Sequence, residues 1–386
     1  MPPLFFVWRI FEIQNFPQPS LRSRRVAKRS VGRVSPPGGH YRQVTPAHHT
    51  FAIKKDIYYF YSATFNRKPM KKFKKVLLYA VIFIVLVIVS VISYVTLALP
   101  NVGNPENIKV ELTPQRIARG QYLANHVCVC TDCHSQRDWQ KLAGPVKPGS
   151  LGGGGEVFDA TVGFPGTVNV PNITPYSLKG WTDGELFRTI TTGERKDGSA
   201  IFPLMPWPYY SKLSREDVYA IIAYIRTLKP IAASYPKSRL DFPLNILVHT
   251  MPQKASLSPA PDTVDRLKYG EYLTNSSACK ECHSQDNQGK LLPGLEFAGG
   301  HEYQVSGHIV RSANITPDIN TGIGTWTEAD FVARFKVFSD PSKAIPASGD
   351  DFQTIMPWYA YAGMSDSDLK AIYAYLKTLK NRTIGR

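Results

Sequence analysis

Two cysteine pairs in this chain each end in a histidine. Cys130-Thr131-Asp132-Cys133-His134 and Cys279-Lys280-Glu281-Cys282-His283 both set two thiols one helical turn apart, with an imidazole next to the second. Thiols so spaced can add to the two vinyl groups of one porphyrin, and the adjoining histidine is then held beneath the iron as its fifth ligand. The competing chemistries for this spacing are a zinc site, a disulfide and a thiol redox pair. Zinc would need four ligands per site, and only Cys128 lies outside the two motifs among the five cysteines. A redox pair has no use for an adjoining histidine in both places. The pattern predicts two covalently bound haem c groups. Cys130, Cys133, Cys279 and Cys282 would attach them, and His134 and His283 would ligate the iron.

A sixth ligand follows by elimination. The methionines are residues 1, 70, 205, 251, 356 and 364. The first two precede or open the apolar N-terminal segment. Met205 and Met356 both stand in Met-Pro-Trp ahead of a terminal helical pattern, whereas Met251 and Met364 have no counterpart. A lone methionine is ordinarily core filler. Repetition in one place predicts Met205 and Met356 as iron ligands. His/Met ligation closes both axial positions, raises the reduction potential and suits reversible electron transfer.

Other candidates carry less. His126, His301 and His308 do not repeat and are assigned surface or loop roles. Asn172-Ile-Thr and Asn314-Ile-Thr match a glycosylation pattern, but their repetition favours loops lining a pocket. Trp207 and Trp358 are expected near the porphyrin edge or in the core. Cys128 stands where the second copy has Ser277. A rival attachment through Cys128 and Cys133 is conceivable, but the regular spacing of the second copy favours Cys130 and leaves Cys128 a small buried residue.

The elements that hold these residues are duplicated. Gly120-Gln121-Tyr122-Leu123 returns as Gly270-Glu271-Tyr272-Leu273, Asn172-Ile-Thr-Pro175 as Asn314-Ile-Thr-Pro317, and Asp217-VYAIIAYIRTL-Lys229 as Asp368-LKAIYAYLKTL-Lys380. Such an internal repeat marks a tandem architecture. The first copy spans about 104–234 and the second about 262–386, joined by a Pro-rich linker, 235–261. Each copy opens and closes with a helix. Thr113-Pro114 reads as an N-cap, Ser214-x-x-Asp217 and Ser365-x-x-Asp368 as capping-box-like starts, and Ile221, Tyr224, Ile225 and Leu228 as one apolar face. Between the terminal helices the sequence is loop-rich and Gly/Pro-rich, with little strand alternation.

The 386 residues carry 46 Lys+Arg against 30 Asp+Glu, a formal +16. Hydrophobic residues at 43% and aromatics at 12% exclude a disordered or collagen-like chain. The charge is uneven. Residues 1–75 hold 16 basic residues against Glu12 and Asp56, a net +14, while 76–386 hold 30 against 28. No fold motif for nucleic acid accompanies the basic leader, so no nucleic-acid partner is expected. From Val76 to Leu99 no residue is charged. As a helix this run reaches ~36 Å, enough to cross a hydrocarbon layer of ~30 Å, and it exceeds the usual apolar stretch of a cleaved signal. The lysines before it put the N-terminus in the cytoplasm and residues 100–386 on the outer side. Met70-Lys-Lys-Phe-Lys-Lys ahead of the span reads as a complete signal-anchor start, so translation is expected to begin at Met70.

With these motifs in hand, the chain resembles class I c-type cytochromes. Residues 104–386 are similar to the membrane-bound cytochrome c subunits of bacterial alcohol, gluconate and related dehydrogenases, most clearly over Asn314-ITPDINTGIGTWTEADF. Those subunits commonly have three haem motifs, where this chain has two, and the first copy has Tyr176 where the second has Asp318. The resemblance implies a mainly α fold with one N-terminal transmembrane helix and two tandem class I cytochrome c-like domains. It also implies single-electron transfer between a dehydrogenase or quinol-type donor and a respiratory acceptor, at the periplasmic face of a bacterial inner membrane. The alternative is a dihaem enzyme such as a peroxidase, in which one haem keeps an open site.

The Met70 start is checked by the intact mass of the native protein. A mass without residues 1–69 is expected, and one that includes them overturns the assignment.

Overall fold

The computed structural model describes residues 70–287, 289–305, 307–347 and 351–383; the leader through residue 69, including its proposed status, lies outside them. The described chain is mainly helical. Helix α1 (Met70–Ala98) contains Lys71–Ala98, long and apolar enough to cross a membrane. After it come α2 (Pro114–Tyr122), α3 (Cys130–Cys133), β1 (Val157–Phe158), β2 (Gly166–Asn169), α4 (Pro175–Leu178), α5 (Asp183–Thr192), α6 (Trp207–Tyr210) and α7 (Arg215–Thr227). The Pro-rich stretch holds β3 (Arg239–Leu240) and α8 (Leu244–Leu247). The second half contains α9 (Arg266–Ser276), α10 (Cys279–Cys282), β4 (Asp286–Asn287), β5 (Lys290–Leu291), β6 (Glu302–Val305), β7 (His308–Arg311), α11 (Glu328–Lys336), α12 (Trp358–Tyr361) and α13 (Asp366–Leu376).

Sheet is minor. β1, β2 and β3 form one small antiparallel sheet, in which Gly166 of β2 pairs with Leu240 of β3. The Pro-rich stretch is therefore tied to the first half by backbone bonds. β4–β5 and β6–β7 are two-stranded ribbons, the latter in register Glu302↔Arg311 to Val305↔His308.

In each half the first and last helices cross at a glycine. A Cβ on Gly120 would lie 1.8 Å from the Ala220 carbonyl oxygen, and one on Gly270 would lie 2.0 Å from that of Ala371. No side chain fits there, so α2 meets α7, and α9 meets α13, backbone to backbone. Around the crossings the apolar faces close. Val218, Ile221, Ile222 and Ile225 are buried in the first half, and Leu369, Ile372 and Leu376 in the second, all in one hydrophobic cluster with Leu123 and Leu273. Tyr224 and Leu228 are buried with them, as the sequence pattern requires.

A length difference between the halves is absorbed locally. Gly120 to Cys130 is one residue longer than Gly270 to Cys279. In the first half α2 continues into a π-helical turn, Leu123–Val127, whereas α9 runs as α-helix through Ser276. A π turn takes up one extra residue without shifting the helix on either side. Both cysteine turns therefore leave their glycine crossings in equivalent positions.

The middle of each half is not all loop. α5 opens with a full capping box: Thr182 accepts from the Glu185 amide at 3.1 Å and Glu185 from the Thr182 amide at 2.8 Å. α11 repeats it with Thr327 and Asp330 at 3.2 and 2.9 Å. The short helices satisfy their first orphan amides this way.

The capping boxes expected at α7 and α13 form only by half. Ser214 and Ser365 accept from Asp217 N and Asp368 N at 3.1 Å each, but the aspartates do not turn back to the serine amides. A tyrosine from the opposite half takes that place. Tyr272 accepts from Ser214 N at 3.1 Å and donates to Asp217 Oδ2 at 2.6 Å; Tyr122 accepts from Ser365 N at 3.0 Å and donates to Asp368 Oδ2 at 2.6 Å. The exchange is reciprocal, as in a two-fold contact. It is not fully symmetric. Arg119 adds a bidentate bond to Asp217 at 2.9 and 3.0 Å, and its equivalent in the second half is Tyr269. Burial alone would depress the Arg119 pKa, but the bonds to Asp217 reverse the direction and hold it up. Burial likewise pushes the Tyr122 and Tyr272 hydroxyls up, so both stay neutral donors.

A hydrogen bond to a charged group contributes about 1.5–3 kcal/mol, and a buried carboxylate left without it costs at least as much. Tyr122→Phe is expected to destabilise the haem-loaded chain by about 2 kcal/mol, read as a lower urea midpoint. Tyr272→Phe should cost less, because Asp217 keeps Arg119.

Candidate haem-attachment sites

Each cysteine turn starts from a strained residue. Val129 and Ala278, just before Cys130 and Cys279, have φ of 48° and 50°. For a non-glycine residue, and above all a β-branched one, this left-handed geometry costs energy and persists only where the surroundings enforce it. The enforcement repeats. Tyr210 donates its hydroxyl to the Cys128 carbonyl at 2.6 Å, and Tyr361 donates to that of Ser277 at 2.8 Å. The reversed chain then begins the one-turn helices α3 and α10, which carry both cysteines of each pair half-buried on one turn.

The histidine is clamped from behind. Ser135 donates to the Thr131 carbonyl and accepts from Gly152 N at 2.9 Å; Ser284 donates to the Lys280 carbonyl at 2.6 Å and accepts from Phe297 N at 2.9 Å. His134 and His283 accept at their own carbonyls from Gly154 N and Gly299 N, at 2.8 Å each. These glycines have φ of 72° and 74°, and a Cβ on either would meet the opposing backbone at 2.6 or 2.5 Å. The imidazoles are then oriented. Nδ1 of His134 lies 2.8 Å from the Pro171 carbonyl, and Nδ1 of His283 lies 2.7 Å from that of Ala313. A carbonyl only accepts, so Nδ1 carries the proton and Nε2 keeps the lone pair for a metal. Burial lowers the pKa of both rings and favours the neutral, ligating form.

The carbonyls that hold the rings belong to the residues before the two Asn-Ile-Thr segments. Asn172 accepts from Thr174 N at 2.8 Å and donates to the Ile231 and Ala233 carbonyls at 2.7 and 3.0 Å. Asn314 accepts from Thr316 N at 2.8 Å and donates to Arg382 O at 2.7 Å. Both amides brace the histidine support from inside and are committed on both ends, which leaves no free nitrogen for a glycan. Beyond the prolines the halves diverge. Pro175 starts α4, while Asp318 accepts from Asn320 N and Thr321 N at 3.0 and 2.7 Å and keeps its segment in a turn.

Burial pushes the thiols of Cys130, Cys133 and Cys279 up to about 12, and raises that of Cys282 as well. Burial therefore favours the neutral thiol at all four positions. Among the described residues no group of three or more His, Cys, Asp or Glu side chains could hold a metal ion unaided. Cys128 is only 1% exposed and its thiol is pushed well up by burial, the condition of an inert core residue.

Met205 and Met356 are half-buried and, with Cys130 and Cys279, border the common hydrophobic cluster. Their carbonyls accept from Trp207 N and Trp358 N at 2.7 Å, which starts α6 and α12. Met364 lies wholly within the core, and Met251 in the segment after α8. The tryptophans part company. Trp207 is buried and donates Nε1 to Ile201 O at 3.0 Å; Trp358 stacks on Phe338 at 5.1 Å beneath the Arg334 guanidinium. His126 sits in the π turn and bonds the Ala360 carbonyl at 2.9 Å, so it belongs to the contact between halves. His301 pairs with Asp286 at 2.5 Å.

The two attachment segments adjoin. Burial raises the pKa of Tyr361 most, and further contributions come from Cys279 and Cys282 of its own half and from Asp132 and Cys133 of the other. Tyr209 of the first half donates to Glu281, between the second pair of cysteines, at 2.9 Å. The loop after His134 is also sewn to the loop before Met356. Leu142 N donates to Ile345 O and Ala347 N to Gln140 O, both at 2.8 Å, and Ala143 N donates to Gln353 Oε1 at 2.7 Å.

The residues fit a covalently held porphyrin. Two thiols on one turn would attach it, and an imidazole with Nε2 free and a methionine ahead of Pro-Trp would offer donors to its iron. Burial lowers the pKa of Arg195 while the Asp197 charge opposes that shift, and the Arg195 guanidinium donates to the Ala200 carbonyl at 3.2 Å. Tyr210/Tyr361, Ser135/Ser284 and Gly154/Gly299 were not singled out from sequence as parts of the site. The signal that could have found them is their repetition in register with the Cys-His motifs.

Residues 267–380 match the cytochrome c family, so this stretch is a cytochrome c domain, a module that binds haem c covalently and transfers electrons. The chain is also similar to "Alcohol dehydrogenase (quinone), cytochrome c subunit" of Gluconacetobacter polyoxogenes, 28% identical over 68% of this chain and 56% of the relative. It is 29% identical to "Fructose dehydrogenase cytochrome subunit" of Gluconobacter japonicus, over 68% of this chain and 52% of the relative. "Diheme cytochrome c-type" of Cereibacter sphaeroides is 26% identical over 64% of this chain and 81% of the relative. The chain thus spans little more than half the length of the dehydrogenase subunits it matches.

Peptide mass mapping checks the attachment. Haem is expected on peptides containing Cys130/Cys133 and Cys279/Cys282, with Cys128 alkylated only after unfolding. Haem linked to Cys128 and an unmodified Cys130 would overturn this assignment.

Proposed function

We propose that the chain is a membrane-bound dihaem c-type cytochrome, with tandem cytochrome c domains at 104–234 and 262–386. It would transfer single electrons from a dehydrogenase or quinol-type donor to a respiratory acceptor. Residues 76–99 would anchor it in a bacterial inner membrane, with the domains on the periplasmic side and the N-terminus in the cytoplasm. The observation that carries the reading is the duplication of the histidine clamp, down to the left-handed residue, the tyrosine on it and the carbonyl on Nδ1. Each bound haem supplies an iron that takes up and gives back one electron. The chain's own residues fix the imidazole and keep Nε2 free, and Met205 and Met356 would serve as the second iron donors.

The contact between halves serves the same reading. Tyr209 of the first half bonds Glu281, between the second pair of cysteines, which supports electron exchange between adjoining groups. The similarity to cytochrome subunits of alcohol and fructose dehydrogenases supports a dehydrogenase catalytic subunit as redox partner. The similarity to a dihaem cytochrome supports the count of two. A dihaem enzyme is not favoured, because both halves offer the same methionine.

Redox titration of the detergent-solubilised holoprotein tests this. Two low-spin, methionine-ligated haems are expected in the wild type. Met205→Ala and Met356→Ala should each turn one haem high-spin and lower one potential, by tens to hundreds of millivolts within the roughly 0.8 V that axial ligands span. A wild-type haem that is high-spin and binds peroxide would overturn the carrier in favour of the enzyme.

A further inference from the structure

Along α1 every side chain from Lys71 to Ala98 is exposed except Val95 and Thr96. The cover comes from the Pro-rich stretch. Helix α8 (Leu244–Leu247) and the 3₁₀ turn after it (Val248–Thr250) pack on the end of α1, and Nδ1 of His249 lies 3.1 Å from the Leu99 carbonyl. This stretch is rigidly mounted. β3 pairs with β2, and Gln253 N donates to Thr192 O at 3.2 Å, so both ends are tied to the first half.

The docked segment reads Phe242-Pro243-Leu244-Asn245-Ile246-Leu247-Val248 and has no charge. Phe242 is 67% exposed beside it, as Leu97 of α1 is at 86%. Polar residues flank it: Arg239 and Asp241 before, Gln253 and Lys254 after. An uncharged helix of ~36 Å exceeds a hydrocarbon layer of ~30 Å by about one turn. Its final turn therefore stands at the boundary between acyl chains and headgroups, where apolar segments with polar flanks lie.

We infer that the segment 242–248 forms a second membrane contact through its exposed side, Phe242 and Pro243 foremost, seated in the outer headgroup boundary beside the last turn of α1. The partner is the lipid bilayer itself, argued from continuity with the α1 surface. This inference rests on the reading of α1 as a membrane span. Its consequence is a fixed height and tilt: residues 100–112 are already bonded to the first half, through Val102 N to Glu194 at 3.1 Å and Val110 N to Asp183 at 2.8 Å, and a second contact with the bilayer would set the distance of that unit from a donor in the membrane.

The test uses the full haem-loaded chain in phosphatidylcholine/phosphatidylglycerol vesicles. In a Cys128→Ser background, a nitroxide is placed on Phe242→Cys, on Leu97→Cys and on Phe352→Cys, an exposed site in the second half. Unchanged haem spectra report an intact fold. Collision with dissolved oxygen against a water-soluble nickel chelate gives the depth of each label. The expected oxygen-to-nickel ratio at 242 is several-fold above that at 352 and approaches that at 97. A lipid-embedded label at 97 with a water-exposed one at 242 overturns the second contact. A water-exposed label at 97 removes the span itself, and the inference falls with it.

Discussion

The structure depends on how closely two helices can approach in each half. Gly120 against Ala220 and Gly270 against Ala371 leave no room for a side chain, so the terminal helices touch through their backbones. That contact sets where the first helix ends, and the cysteine turn begins within a few residues of its end. Every later demand on the site inherits this origin: a left-handed residue, a one-turn helix and a histidine whose ring must meet a carbonyl from a distant loop. The π turn in the first half reports how strict the demand is. One extra residue is wound into the helix so that Cys130 does not move out of place.

The second level of organisation joins the halves. A helix N-terminus needs its amide donors satisfied, and α7 and α13 do this with their own serines and with a tyrosine from the opposite half. Part of the stability of each closing helix thus comes from the opposite first helix. The same packing brings Tyr209 against Glu281 of the second attachment segment and ties the loop after His134 to the loop before Met356.

Much of the candidate site was legible in the sequence because its chemistry is carried by side chains at fixed spacing. The Cys-x-x-Cys-His pairs, the repeated Met-Pro-Trp and the apolar face of α7 all read directly from residue type and period. The histidine clamp did not, because most of it is backbone: the carbonyls of Pro171 and Ala313, and the amides of Gly154 and Gly299. Asn172 and Asn314 were visible as a repeated motif, yet their service to the residue just before them is a tertiary fact. Ser214-x-x-Asp217 and Ser365-x-x-Asp368 misled for a physical reason. The local partner was present in sequence, but a tyrosine hydroxyl from the other half offers both a donor and an acceptor, and it displaced the carboxylate. The helices α5 and α11 carried readable capping boxes, obscured by the glycines and prolines around them.

The reciprocal tyrosines have a historical meaning. Two identical chains that exchange the same residue across a shared axis form a symmetric dimer, and such interfaces need no second sequence to evolve. Joining the two copies end to end preserves that interface while releasing each copy from having to match the other. Arg119 facing Tyr269, and Cys128 facing Ser277, mark positions where the copies have already parted. A chain so duplicated would keep the architecture of a homodimer yet could give its two proposed redox centres different surroundings, which a symmetric homodimer cannot do.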